Sequence, residues 1–204
     1  NGAPDLKPYG LATAADGTLY VGEGPIIDDS QVRFLSVRPG EAPVVRAGPG
    51  APAPHDRALD PIERVRLGPG DVPYLVTKPL AGGRVILRWR PDQAMASLYT
   101  PPAGAKVTDC VPEPNGGLLI AEDVANGQTY AGTRLVRLDA TGQATPALAA
   151  TKLGSGGLVL ARSAAGEVYL AGTTNLWRWR QGEVPEQLVA SSPALSATND
   201  VLFA

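Results

Sequence analysis

The stretch YGLATAADGTLYVGEG, residues 9–24, decides the fold. It is two short apolar runs reversed at Asp16-Gly17. An Asp-Gly pair between such runs is a hairpin signal, because glycine adopts positive φ without steric cost. The same plan recurs further along: a first apolar run, a turn, a second run, a variable loop, an alternating strand, another turn and a closing strand. The first turns read AADG, GPGD, EPNG, AAGE and TND, and the second turns read RPGE, RPDQ, DATGQ and RQGE.

A unit repeated in this way, with four strands (a to d) in each copy, predicts an all-β protein built as a β-propeller of four-stranded blades. The repeats fall at about residues 6–49, 50–102, 103–150 and 151–191, with half of a fifth over 192–204. In order, the expected strands are Tyr9–Ala14, Thr18–Gly22, Val32–Val37 and Val44–Ala47, then Glu63–Leu67, Pro73–Thr77, Val85–Arg90 and Ala96–Tyr99. The later copies give Asp109–Pro112, Leu118–Ala121, Arg134–Asp139, Thr145–Ala149, Leu158–Arg162, Val168–Ala171, Asn175–Arg180 and Glu186–Val189. The fifth copy supplies only strands a and b, and the residues ahead of Tyr9 are too few to supply the other two. The repeat therefore predicts a ring of five or six blades, completed by a further segment or by another chain. Trp89, Trp177 and Trp179, all at equivalent c-strand positions, read as wedges between blades.

Composition limits the function classes. The net charge is −2 and the pI about 5.4, which argues against nucleic acid or anionic membrane as the main partner, since both need a basic face. Gly and Pro, about a fifth of the chain, punctuate the many short strands. Cys110 is the single cysteine, so no internal disulfide forms, and its apolar neighbourhood reads as core. No apolar run reaches the roughly 18 residues of a membrane helix. The Ala/Pro/Gly/Arg-rich alphabet suits a GC-rich bacterial genome, and the expected location is extracytoplasmic, secreted or periplasmic.

The chain resembles NHL-type repeat propellers in YGLATAADGTLYVGEG, in GGLLIAED followed by TRLVRLDATGQ, and in GGLVLARSAAGEVYLAG. That resemblance implies blade geometry and leaves function open, since such propellers include scaffolds, binding surfaces and enzymes. A second, local likeness joins GEGPIIDDSQVRFLSV, residues 22–37, to gluconolactonase and senescence-marker propellers, whose GEGP glutamate binds a divalent metal. It implies Glu23 as a metal ligand. That family adds two asparagines and an aspartate that is both ligand and base, and its N-D-G segment has no counterpart here.

Propeller topology puts the b–c and d–a loops on one face, and the acids gather there. The loop candidates are Asp28, Asp29, His55, Asp56, Glu122 and Asn126. Asp123 joins Glu23 as a candidate metal ligand, and calcium is the ion such oxygens would hold. The catalytic candidates are Asp109, Asp123 and His55. His55 is the single histidine and lies in the Pro-rich segment PGAPAPHD, read as a mobile loop, so a His-rich zinc site is excluded. No G-x-S-x-G, P-loop or H-E-x-x-H motif occurs. The leading reading is a non-enzymatic binding or scaffolding propeller that presents this acidic face to a protein, glycan or small ligand. The alternatives are a metal-dependent lactonase or esterase, and a propeller module of a larger secreted or cell-surface protein.

Overall fold

The computed structural model describes residues 7–24, 31–78, 84–127, 129–153, 157–163, 165–172 and 174–190. It is almost entirely β-sheet, in four antiparallel sheets of four strands each, and the fold is that of a β-propeller with these sheets as blades. The half-repeat expected over 192–204 lies outside the described residues. No helix among the described residues is long and apolar enough to cross a membrane.

The chain divides into two compact units, Asn1–Thr100 and Pro101–Ala204. The first unit holds blade one, made of β1 (Lys7–Thr13), β2 (Leu19–Gly24), β3 (Arg33–Val37) and β4 (Val44–Ala47). Blade two follows with β5 (Ile62–Leu67), β6 (Pro73–Thr77), β7 (Val85–Arg90) and β8 (Gln93–Tyr99). In the second unit, blade three is β9 (Ala105–Pro112), β10 (Leu118–Asn126), β11 (Thr129–Leu138) and β12 (Ala144–Thr151). Blade four is β13 (Val159–Arg162), β14 (Val168–Ala171), β15 (Leu176–Trp179) and β16 (Glu186–Val189). Within each blade the strands pair in sequence order, as hairpins joined by short turns require. Gly17, Gly116 and Gly166 close the a–b turns at φ 82, 83 and 84°, which is why that slot takes glycine.

Each unit buries an apolar layer between its two blades. In the first, Phe34 and Ala47, with Ala12 and Tyr20 packed alongside, meet Ile62, Val65, Leu75 and Trp89. Tyr20 stacks on Phe34 at 5.6 Å between ring centroids, and Phe34 meets Trp89 edge-on at 5.8 Å. In the second, Val111, Leu119, Ala121 and Leu135 meet Leu158, Leu160, Leu170 and Trp179. Within each unit, then, the earlier blade turns one face toward the later blade and the later blade turns one face back toward it.

The tryptophans act as inter-blade wedges, with one correction to their alignment. Arg88 pairs with Tyr74 and Arg178 with Tyr169, so Trp89 and Trp179 are equivalent and Trp177 is level with Leu87. Trp89 Nε1 donates to the Arg46 carbonyl at 3.2 Å, and Trp177 Nε1 to the Leu153 carbonyl at 2.8 Å. Both acceptors belong to the outer-strand side of the preceding blade. Trp179 is anchored within its own blade, to the Glu183 carbonyl at 3.1 Å.

The largest departure from expectation is in blade three. β10 runs to Asn126 and β11 starts at Thr129, so Glu122, Asp123 and Asn126 sit on a long hairpin instead of in a loop. The strands continue because their polar residues pair across the sheet: Glu122 stands opposite Arg134 and Asp123 opposite Thr133.

Candidate functional site

The register aligns the blades residue by residue. Thr13 pairs with Leu19 and Pro112 with Leu118, which makes Gly10 equivalent to Asp109. The same count from Leu67 and Arg162 puts Arg64 and Val159 at that position and makes the residues after them, Val65 and Leu160, equivalent to each other. A β-bulge falls immediately before this position in blades one, two and three, at Tyr9, Glu63 and Thr108, the residues skipped in the pairing.

Asp109 is fully buried. Its Oδ1 accepts from the Cys110 N–H at 2.8 Å and its Oδ2 from the Leu160 N–H at 2.9 Å. The carboxylate therefore ties the first strand of blade three to the first strand of blade four. In blade one the same place is taken by Gly10, where a Cβ would stand 2.9 Å from the backbone of Arg64 and Val65. One pair of blades meets by bare backbone contact and the other through a carboxylate. The candidate catalytic residue Asp109 is thus placed as an inter-blade staple.

Glu23 and Glu122 are equivalent by the same register, and each is paired across the b–c strands with an arginine. Glu23 forms an ion pair with Arg33. Glu122, fully buried, receives Arg134 Nε at 2.6 Å. Sequence offered a signal for these pairs in the recurrence of a Glu and an Arg at matched places in blades one and three.

Asp123 anchors a chain of hydrogen bonds. Thr133 Oγ1 donates to Asp123 Oδ1 at 2.8 Å, and the Tyr130 hydroxyl lies 2.9 Å from Thr133 Oγ1. The second carboxylate oxygen accepts from the Gly157 N–H at 2.8 Å, which ties the hairpin to the start of blade four. Desolvation by burial raises the Tyr130 hydroxyl above its ordinary pKa of 10.0, so it stays protonated at neutral pH. Sequence reasoning missed Tyr130 and Thr133, because their relation to Asp123 exists only once β10 and β11 pair. It also missed Glu113, a buried acid that accepts from Arg137 Nε and Nη2 at 2.8 and 3.1 Å and from Arg162 Nη2 at 2.9 Å. Through these two arginines Glu113 again bridges blades three and four.

His55 is not on a mobile loop. It is buried, with its Nε2 3.2 Å from the Pro91 carbonyl and its ring 5.8 Å from Trp89. Backbone bonds from Gly48 N–H to the His55 carbonyl, 2.9 Å, and from His55 N–H to the Pro52 carbonyl, 3.0 Å, close the segment on itself. Pro91 belongs to the turn between β7 and β8, so His55 is held toward a c–d turn and not among the b–c loops. Asp56 is exposed, and Asn126 is exposed at the hairpin tip. Asp28 and Asp29 lie outside the described residues. Among the described residues no three His, Cys, Asp or Glu side chains gather as metal ligands would.

No protein-family model matches the chain. No curated protein sequence matches it either. Solved structures do. A streptogramin B lyase superposes with a TM-score of 0.60 at 14% identity, over 92% of this chain and 56% of that one. The virginiamycin B lyase of Staphylococcus aureus gives 0.62 at 12% identity, over 96% and 60%. A gluconolactonase from Xanthomonas campestris gives 0.56 at 16% identity, over 81% and 54%. These likenesses bear out the β-propeller fold, and at such identities they bear on fold alone. The chain spans just over half the length of these neighbours.

Proposed function

We propose that this chain is a non-enzymatic binding propeller, and that the long β10–β11 hairpin is the element it presents to a protein, glycan or small polar ligand. One observation carries the reading. Each described carboxylate that was a candidate for metal or proton chemistry on β2, β9 or β10 is already held by an arginine or by N–H and O–H donors of the fold. Buried carboxylates engaged in this way hold sheets together, and releasing one costs several kcal/mol. The hairpin itself is stiffened by the Tyr130–Thr133–Asp123 chain and ends in the exposed residues Ala125 and Asn126.

A glycan array and a peptide library, probed with the protein and with Asn126→Arg, test the proposal. Binding that the substitution abolishes, with an unchanged melting curve, is the expected result. The competing reading is a calcium-dependent lactonase, favoured by the likeness to gluconolactonase propellers and by Glu23 at the end of β2. It requires Glu23 to exchange Arg33 for a metal ion. Lactone turnover that Glu23→Ala abolishes, together with a calcium-dependent rise in melting temperature, would overturn the binding proposal.

A further inference from the structure

Among the described residues two asparagines are followed by glycine, Asn115 in EPNGG and Asn126 in VANGQ. An Asn-Gly pair is chemically labile. Glycine has no side chain to hinder the approach of its main-chain nitrogen to the asparagine amide. The fold treats the two pairs differently.

Asn115 lies in the a–b turn of blade three, where the reacting groups are engaged. Its Oδ1 accepts from the Gly117 N–H at 3.0 Å, and the Gly116 N–H donates to the Glu113 carbonyl at 2.9 Å. The Glu113 N–H closes the turn on the Gly117 carbonyl at 2.8 Å. Gly117 itself is buried, and a Cβ there would stand 2.5 Å from the Leu138 carbonyl oxygen. For the Gly116 nitrogen to reach the Asn115 amide, the bonds at Oδ1 and at the Gly116 N–H must both break.

Asn126 ends β10 at the tip of the long hairpin, and both it and Gly127 are exposed. Neither the Asn126 side-chain amide nor the Gly127 N–H has a hydrogen-bond partner among the described residues. Gly127 stands at φ 63°, with nothing within 4 Å of where a Cβ would be. The nucleophile and the carbon it attacks are thus both in water and unengaged.

We propose that Asn126 is a site of spontaneous deamidation selected by the fold, which makes the uncharged hairpin tip anionic, and that Asn115 is protected. The Gly127 nitrogen gives its proton to hydroxide and bonds to Asn126 Cγ. The bond from Cγ to the side-chain nitrogen breaks, and that nitrogen takes a proton from water and leaves as ammonia. Water then opens the succinimide ring at either carbonyl. Attack at Cγ gives aspartate, and attack at the main-chain carbonyl gives isoaspartate, whose backbone runs through the side-chain carbon. The reaction consumes one water and no other reactant. It needs no ligand, so it stands apart from the binding reading of the same hairpin.

The full chain, held folded at mildly alkaline pH and mapped by peptide mass spectrometry, tests this. Acid should replace amide at residue 126, as both aspartate and isoaspartate peptides, and faster as pH rises. With two hydrogen bonds to break, Asn115 should convert about tenfold or more slowly. In denaturing urea both turns are released, and the gap between the two rates should close. An Asn126 that stays amide, or converts no faster than Asn115 in the folded chain, overturns the proposal. So does a gap of the same size in urea, which would assign the difference to the sequence neighbours Pro114 and Ala125 and not to the fold.

Discussion

Replacing Asp109 by alanine separates a structural carboxylate from a catalytic one. The side chain is fully buried and receives the N–H groups of Cys110 and Leu160 at 2.8 and 2.9 Å. Truncation leaves two backbone donors without this acceptor in a place water does not reach. Each orphaned donor costs about 1–3 kcal/mol, for a gross loss of roughly 2–6 kcal/mol. Against this stands the relief of a buried charge, which offsets part of the loss and places the net effect near 2–4 kcal/mol. In a chain of this length each kcal/mol moves the melting temperature by roughly 2–4 °C, so a fall of about 5–15 °C is expected. Urea denaturation gives the free energy, and amide hydrogen exchange gives the location. Protection should drop first at Leu160, 51 residues away in sequence. An unchanged melting temperature with unchanged exchange at Leu160 would refute the staple. Loss of a measured turnover without loss of stability would return Asp109 to catalysis.

Three further outcomes follow from the same geometry. Gly10→Ala sets a Cβ 2.9 Å from the Arg64–Val65 backbone and should destabilise the first unit by about 1–3 kcal/mol in urea, because backbone cannot move aside as a side chain can. Trp89→Phe keeps the ring packing on Phe34 but loses the bond to the Arg46 carbonyl, and should cost about 1 kcal/mol, read by the same melt. Acid and alkali should act through different groups. Hydrogen bonds from Thr141 to Asp139 and from Arg180 to Glu167 hold both carboxyls below their ordinary values of 3.8 and 4.5. The stability they give is present above those values and lost as pH falls through the lower folded ones. Burial raises Tyr20 and Tyr130 above 10.0, so their contribution is complete below pH 10 and is lost as pH rises beyond it. A pH series of thermal melts should show both edges. Tyr130→Phe should soften the alkaline one.

The strand–turn alternation was legible from residues alone because its causes are local. Gly17 and Gly116 take their positive φ whatever surrounds them, and the apolar alternation of Val85–Arg90 fixes which side of a strand is buried. Observed strands accordingly begin and end close to where the pattern puts them in blades one, two and four. Blade three departs because the extension of β10 depends on partners. Glu122 and Asp123 look like solvated loop acids until Arg134 and Thr133 stand opposite.

The carboxylates divide along the same line. Sequence supplied their identities and their recurrence, with Glu23 and Glu122 at matched places. Whether each faces an arginine, a backbone N–H or a ligand was decided by tertiary structure. Asp109 meets Leu160 only when two sheets stack, and His55 is buried only because its segment folds back against Trp89. Backbone conformation is set by each residue and its near neighbours, whereas the role of a charged side chain is set by whatever the fold brings within about 3 Å of it.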